Sequence, residues 1–279
     1  MRTFAFKQVD VFTATPFLGN PVAVVIGADA LQPSAMQRIA AWTNLSETTF
    51  LLKPTQMGAD YRLRIFTPRQ ELPFAGHPTV GSAHAALESG FVTADNGKLK
   101  QECDAGVLDL SVEVAGGVCR IFVRAPQPKM REVAAPLFDG ARALRVDVGP
   151  VWIVVDLGDA QAVDALAPDL AAIEKMSNAL QATGVTVFGR TGDVKLPVHV
   201  RSFAPAHGVP EDPVCGSGNV SVAAFLRETG LLRDFGPAYT ARQGMQVGRD
   251  GRVQVRVSPD AIEIGGEAVT CVDGKLRVD

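Results

Sequence analysis

Glu47, His77, Asp212 and Cys215 are the side chains in this sequence best able to move a proton, and each lies among turn-forming or hydroxyl residues. Glu47 follows Asn44, Leu45 and Ser46 and precedes the apolar run 50–52, which sets a carboxylate at the mouth of a strand. Neighbours that stripped it of water there would raise its pKa and suit it to acid/base work near neutral pH. The plainer alternative is a solvated turn glutamate or part of a cap. His77, within Gly76-His77-Pro78, reads either as a donor or proton shuttle towards a substrate or as a tie for the turn. Asp212, between Glu211 and Pro213, reads either as a ligand-facing carboxylate or as a cap.

Two loops, 73–81 and 210–218, each lead into a helix whose first turn has free backbone N–H groups and a partial positive charge. Two such ends facing each other would cradle a small carboxylate. Gly76, Thr79, Gly216 and Ser217 would add close backbone or hydroxyl donors, with Cys215 in the same substrate-binding set. The same glycines and hydroxyls also serve tight turns and helix caps, so spacing alone leaves both readings open.

The elements that must position these residues come in two copies. Residues 64–81 lie on 201–218 without a gap, so that Arg64, Phe66, Pro68, Pro73 and Gly81 coincide with Arg201, Phe203, Pro205, Pro210 and Gly218. The same offset brings Val9-Asp10-Val11 onto Val146-Asp147-Val148, and a nearly equal one brings Asp29-Ala30-Leu31-x-Pro33 onto Asp164-Ala165-Leu166-x-Pro168. Three ordered matches at nearly one offset indicate two repeats, 1–125 and 126–268, with the apolar tail 269–279 as a closing strand returning to the first. Within a repeat the pattern predicts a strand at 21–26, a helix over 29–43 with Pro33 in its first turn, strands at 50–52 and 61–66, and loop over 68–78. A small-residue helix follows over 79–88, with its counterpart at 218–228. Residues 248–257 read as a hairpin turning at Asp250-Gly251.

Apolar residues make up 47 % of the 279 and charged residues 20 %, of mixed sign, with a net charge of −3. That composition fills real cores and offers no basic stripe for nucleic acid or an anionic membrane. No run approaches the roughly 18 apolar residues of a membrane span, and residues 1–11 lack a signal peptide's apolar stretch, so a cytoplasmic protein is expected. Cys103, Cys119, Cys215 and Cys271 form no Cys-x-x-Cys pair, and His77, His84, His199 and His207 lack the spacing that stacks two imidazoles on one helix face, so neither a disulfide framework nor a metal site is expected.

The segments Asn44-Leu45-Ser46-Glu47-Thr48-Thr49-Phe50, Glu71-Leu72-Pro73-Phe74-Ala75-Gly76-His77-Pro78-Thr79 and Glu211-Asp212-Pro213-Val214-x-Gly216-Ser217 resemble the three signature stretches of PhzF-like, phenazine-biosynthesis-like proteins. Gly19-Asn20-Pro21-Val22-Ala23-Val24 and Gln243-Gly244 stand in the expected order, and the resemblance spans nearly the whole chain. It implies an α+β, diaminopimelate-epimerase-like fold: two pseudo-symmetric halves, each a mainly antiparallel β-barrel around a central helix, with the site between them. It further implies that Glu47 transfers the proton, that His77, Asp212, Gly216 and Ser217 line the substrate site, and that the protein is a homodimer needing no metal or organic cofactor. In the phenazine enzyme a proton moves along a hydroxylated cyclohexadiene carboxylate, taking trans-2,3-dihydro-3-hydroxyanthranilate to a ketone tautomer.

One departure matters. Cys215-Gly216-Ser217-Gly218-Asn219 resembles the Cys-Gly-Ser/Thr-Gly loop of cofactor-independent amino-acid epimerases, which use a cysteine from each half, whereas the matched first-half loop here has no cysteine. The expectation is therefore an isomerase acting through Glu47. The alternatives are an epimerase or racemase pairing a Cys215 thiolate with Glu47 or His77, and a noncatalytic module for small anions.

Overall fold

The computed structural model describes residues 1–278 and divides into two compact units, Met1–Arg124 with the stretch from Gly265 onward, and Ala125–Ile264. The first unit carries β1 (Arg2–Val11), β2 (Asn20–Ile26), α1 (Pro33–Thr43), β3 (Thr48–Leu52), β4 (Tyr61–Phe66), β5 (Glu71–Leu72), α2 (Gly76–Glu88), β6 (Lys98–Cys103), β7 (Gly106–Ala115) and β8 (Val118–Arg124). The second carries β9 (Lys129–Glu132), β10 (Ala143–Asp147), β11 (Val151–Asp159), α3 (Ala160–Ala165), α4 (Leu170–Ala179), β12 (Gly184–Arg190), β13 (Val198–Ala204), β14 (Val209–Asp212), α5 (Gly216–Glu228), β15 (Ala238–Gln243) and β16 (Gly251–Val257). The chain then runs through β17 (Ile262–Gly266) into β18 (Ala268–Val278), which lies antiparallel along β1.

Pairing within the two units follows one pattern. In the first, β1–β2 and β3–β4 are antiparallel, β2–β3 and β4–β6 parallel, and β6–β7 antiparallel. In the second, β10–β11 and β12–β13 are antiparallel, β11–β12 and β13–β15 parallel, and β15–β16 antiparallel. Parallel neighbours need a crossover, and the helices supply it at equivalent places: α1 and the α3–α4 pair bridge one joint, α2 and α5 the other.

The two kinds of helix differ in composition because they differ in burial. On α1, Met36, Ile39 and Ala40 pack with Phe4, Val25, Phe50 and Phe66, while the rest of the helix stays wet. In the second unit, Val163, Ile173 and Met176 meet Ile153, Val155, Val187 and Phe203. By contrast α2 touches β1, β2, β3, β4, β8 and β18, and α5 touches β10, β11, β12 and β16, so both are buried almost all round. At the closest approaches only a residue without a side chain fits. A Cβ on Gly81 would stand 2.5 Å from Val22 Cγ1, and one on Gly218 would stand 2.5 Å from Ser202 Oγ.

Some boundaries differ from the sequence expectation. The helix expected over 29–43 begins at Pro33, after a separate 3₁₀ turn at Ala28–Ala30, because the residue before a proline is held out of the helical region. α2 begins at Gly76 and α5 at Gly216, ahead of the expected 79 and 218, so His77 and Pro78 belong to a first helical turn, where a proline loses no hydrogen bond. Part of the supposed loop 68–78 is the short strand β5. Residues 248–257 do not form a hairpin: β16 pairs with β15, and the connection turns at Gly244, whose φ of +103° favours glycine.

Each unit also carries an arginine clamp. Arg64 donates from Nε and Nη2 to both oxygens of Glu71, at 2.7 and 2.6 Å, with its guanidinium over the Phe66 ring. Arg201 does the same to Glu211, at 2.9 Å twice, over Phe203. The glutamates lie on β5 and β14, one step before the segments that enter α2 and α5.

His199 on β13 is fully buried. Its Nδ1 lies 3.3 Å from Asp164 Oδ1 without hydrogen-bond geometry. Burial, reinforced by the charges of Arg242 and Arg201 against the pull of Asp164, pushes its pKa down to about 4. An unfolded histidine takes up its proton near pH 6.5, so between those limits the unfolded chain binds more protons and stability falls as pH drops. The loss expected by about pH 4 is on the order of 3 kcal/mol. Urea unfolding of wild type and His199→Gln at pH 7 and pH 5 checks it, since a pH slope unchanged by the substitution excludes this histidine.

No helix among the described residues is long and apolar enough to cross a membrane. The four cysteines are free, three of them on β6, β8 and β18, and no group of three His, Cys, Asp or Glu among the described residues is arranged to hold a metal ion.

Candidate active site

The first unit brings Glu47 and His77 together across 30 residues of sequence. α1 stops at Asn44, which adopts a left-handed conformation (φ 56°) that asparagine tolerates, and the chain turns so that Glu47 precedes β3. Glu47 is anchored by its carbonyl, which accepts from Ala23 N–H at 3.4 Å. Its side chain is 17 % exposed, and Oε2 lies 3.1 Å from His77 Nδ1.

The other ring nitrogen fixes the proton inventory. His77 Nε2 lies 3.0 Å from the backbone oxygen of Asn20. A carbonyl can only accept, so Nε2 carries a hydrogen and donates it. The Nδ1···Oε2 contact then holds a single proton, either as imidazolium with carboxylate or as neutral imidazole with carboxylic acid. Burial alone would push the Glu47 carboxyl up, but the hydrogen bond and charge of His77, helped by Ser46, outweigh it and hold the group below its ordinary value. The expected upward shift is thus reversed, and Glu47 is a carboxylate at neutral pH. His77 has no nitrogen left to shuttle a proton itself. It orients Glu47 and sets its charge.

The remaining residues expected near α2 divide. Gly76 is the first residue of the helix, where backbone N–H groups have no intrahelical acceptor. Thr79 is fully buried and turned inward, its hydroxyl accepting from Gln101 Nε2 at 3.2 Å, so its side chain offers a ligand nothing.

The second unit gathers Asp212, Cys215, Gly216 and Ser217 around the start of α5. Asp212 Oδ1 accepts from Val214 N–H at 3.0 Å, and the Asp212 carbonyl accepts from Gln243 Nε2 at 3.0 Å. Gln243 Oε1 in turn accepts from Asn219 Nδ2 at 2.9 Å, tying β15 to the helix. Cys215 is the N-cap, its sulfur accepting from Gly218 N–H at 3.2 Å. Burial, then the nearby Asp212 charge, push its thiol well above the ordinary range, so it stays protonated near neutrality. Ser217 stands in the first turn of α5, half-buried.

Sequence reading missed Trp152. This residue of β11 is nearly buried and donates from its indole N–H to Ser217 Oγ at 2.9 Å. Its counterpart by strand pairing is Val22, opposite Val9 as Trp152 is opposite Val146, so no match of residue type drew attention to it.

A family profile described as "Phenazine biosynthesis-like protein" matches residues 9–274. The chain is 40 % identical to "Antisense-enhancing sequence 1" of Schizosaccharomyces pombe, with 99 % of each covered. It is 34 % identical to the "Trans-2,3-dihydro-3-hydroxyanthranilate isomerase" of Pseudomonas fluorescens, covering 96 % of this chain and 97 % of that one. The crystal structure of a Bacillus anthracis phenazine biosynthesis protein of the PhzF family superposes with a TM-score of 0.88 at 26 % identity over 100 % of both chains. A hydroxyproline epimerase from Agrobacterium vitis shares the fold at a TM-score of 0.66 and 17 % identity, covering 99 % of this chain and 92 % of that one.

Proposed function

This chain belongs to the phenazine-biosynthesis-like family and is an isomerase, and we propose that it moves a proton between two carbons of a small carboxylate with Glu47 as the acid/base. Its Glu47 carboxylate takes the proton from a carbon α or vinylogous to the substrate carboxylate. The electron pair left behind spreads into the conjugated system, and the same carboxyl returns the proton to another carbon. The N–H groups of Gly216 and Ser217 and the Ser217 hydroxyl hold the substrate carboxylate, and Asp212 helps organise the substrate. On this reading each half is a mainly antiparallel barrel closed round its small-residue helix, and the enzyme is a cytoplasmic homodimer that needs no cofactor.

The observation that carries the proposal is the Glu47–His77 pair, locked by the Asn20 carbonyl into a form that leaves a carboxylate ready to accept a proton. NMR in D₂O tests it on small unsaturated and α-substituted carboxylates, beginning with trans-2,3-dihydro-3-hydroxyanthranilate. One of them is expected to undergo proton relocation that Glu47→Gln suppresses; relocation indifferent to that substitution would refute the proposal.

An amino-acid epimerase using Cys215 would need a thiolate, and burial beside Asp212 opposes one. Cys215→Ser is expected to retain most turnover, because serine is itself a good N-cap and can accept from Gly218 N–H. A loss comparable to that of Glu47→Gln, with alkylation of Cys215 blocked by substrate, would reinstate the thiol as a base.

A further inference from the structure

The contact between Trp152 and Ser217 decides what Ser217 can do. An indole N–H is only ever a donor, so at 2.9 Å the Ser217 oxygen must be the acceptor. The hydroxyl hydrogen therefore points away from Trp152. Among the described residues, the other partner of Ser217 is Cys215 Sγ at 3.6 Å, a long contact to a sulfur that is weak both as donor and as acceptor. The hydroxyl is a donor in search of an anion, and the incoming indole hydrogen bond polarises it further.

The indole is held in this position by the sheet beneath it. Trp152 pairs with Gly184 on the neighbouring parallel strand β12. A Cβ on Gly184 would come within 2.9 Å of the indole Cζ3 and 2.0 Å of the Phe203 carbonyl oxygen, so only glycine leaves the ring its place.

We infer that Trp152 is a positioning residue that fills one acceptor position of Ser217 and turns its hydroxyl hydrogen outward, and so biases the start of α5 towards a hydrogen-bond-accepting anion over a neutral or donor-bearing group. This rests on the proposed role of that helix start in holding the substrate carboxylate, and adds to it the residue that sets the polarity of the contact. An unconstrained serine could accept from an amide or ammonium as readily as it donates to a carboxylate; this one already has one of its two acceptor positions filled by Trp152.

The test uses anthranilate as the carboxylate probe and 2-aminobenzamide as its neutral counterpart, with affinities measured by calorimetry on wild type, Trp152→Phe, Ser217→Ala and the double variant. Anthranilate is expected to bind wild type more tightly than the amide. Trp152→Phe and Ser217→Ala should each weaken anthranilate about tenfold, leave the amide within about twofold, and show little further loss when combined, as residues acting through one contact do. The chain has two tryptophans, so the indole ¹⁵N–¹H spectrum gives a second reading in unmutated protein. Anthranilate, but not the amide, should shift the Trp152 signal, with exposed Trp42 as the internal control. Should Ser217→Ala weaken anthranilate while Trp152→Phe leaves it unchanged and the Trp152 signal stays still, the positioning role is wrong and the carboxylate site stands. If wild type binds no carboxylate, or neither variant alters its binding, the site assignment falls together with the inference.

Discussion

Glu47→Gln is expected to bind substrate with nearly wild-type affinity and to turn it over slower by on the order of a hundredfold or more, the scale of a positioned acid/base group. The substitution is unusually clean here because of the proton inventory at His77. With Nε2–H given to the Asn20 carbonyl, a neutral His77 presents a lone pair at Nδ1, and a glutamine amide can donate to it where the carboxylate accepted. Packing and hydrogen bonding survive and basicity alone is lost. The same pair sets the pH dependence. Because His77 holds the Glu47 carboxyl below its ordinary value, the basic form persists as pH falls past the usual carboxylate range, and the acid limb of turnover should lie below that range. Steady-state rates of both proteins, measured beside a binding assay, decide the point; near-normal turnover in the variant would take Glu47 out of the mechanism.

The duplication was legible in the sequence at positions where packing admits one solution. Arg64 and Arg201 must lie over Phe66 and Phe203, so the same residue types recur at one offset, whereas Gly81 stands sixth in α2 and Gly218 third in α5, so that match was not a true equivalence although each glycine lets its helix touch the sheet. The acidic partners of those arginines were not legible, because Glu71 follows Arg64 by 7 residues and Glu211 follows Arg201 by 10, and a gapless overlay cannot align them. Site chemistry was legible only as residue types. Nothing local to Glu47 signals a histidine 30 residues away, so desolvation was the sole visible influence on its pKa and the expected shift had the wrong sign. Trp152 escaped notice for a related reason: an apolar strand residue looks like core until its N–H is seen to meet Ser217.

The two clamps should differ sharply in what they contribute to stability, with Arg201→Met costing about 3–5 kcal/mol, the range for removing one partner of a buried ion pair. Arg201 and Glu211 side chains are 4 % and 10 % exposed, against 16 % and 27 % for Arg64 and Glu71. Arg201 also donates from Nη1 to the carbonyls of Val163 and Leu166, at 3.0 and 2.7 Å, joining β13 to the α3 region. Truncation would thus strand a buried carboxylate and two carbonyls at once, whereas at position 64 water can reach the carboxylate left behind and the loss should be well under half as large. Lysine should not rescue position 201, since one ammonium cannot reproduce a bidentate fork with two further donors. Replacing both partners, as in Arg201→Met with Glu211→Leu, should recover a large part of the loss by removing the orphaned charge. Denaturant unfolding of the four variants and wild type is the measurement, and equal losses at the two arginines, or no recovery in the double variant, would overturn this account. Glu211 stands directly before Asp212, so the destabilised protein should also lose turnover out of proportion to its unfolded fraction, as β14 no longer holds the approach to α5 in place.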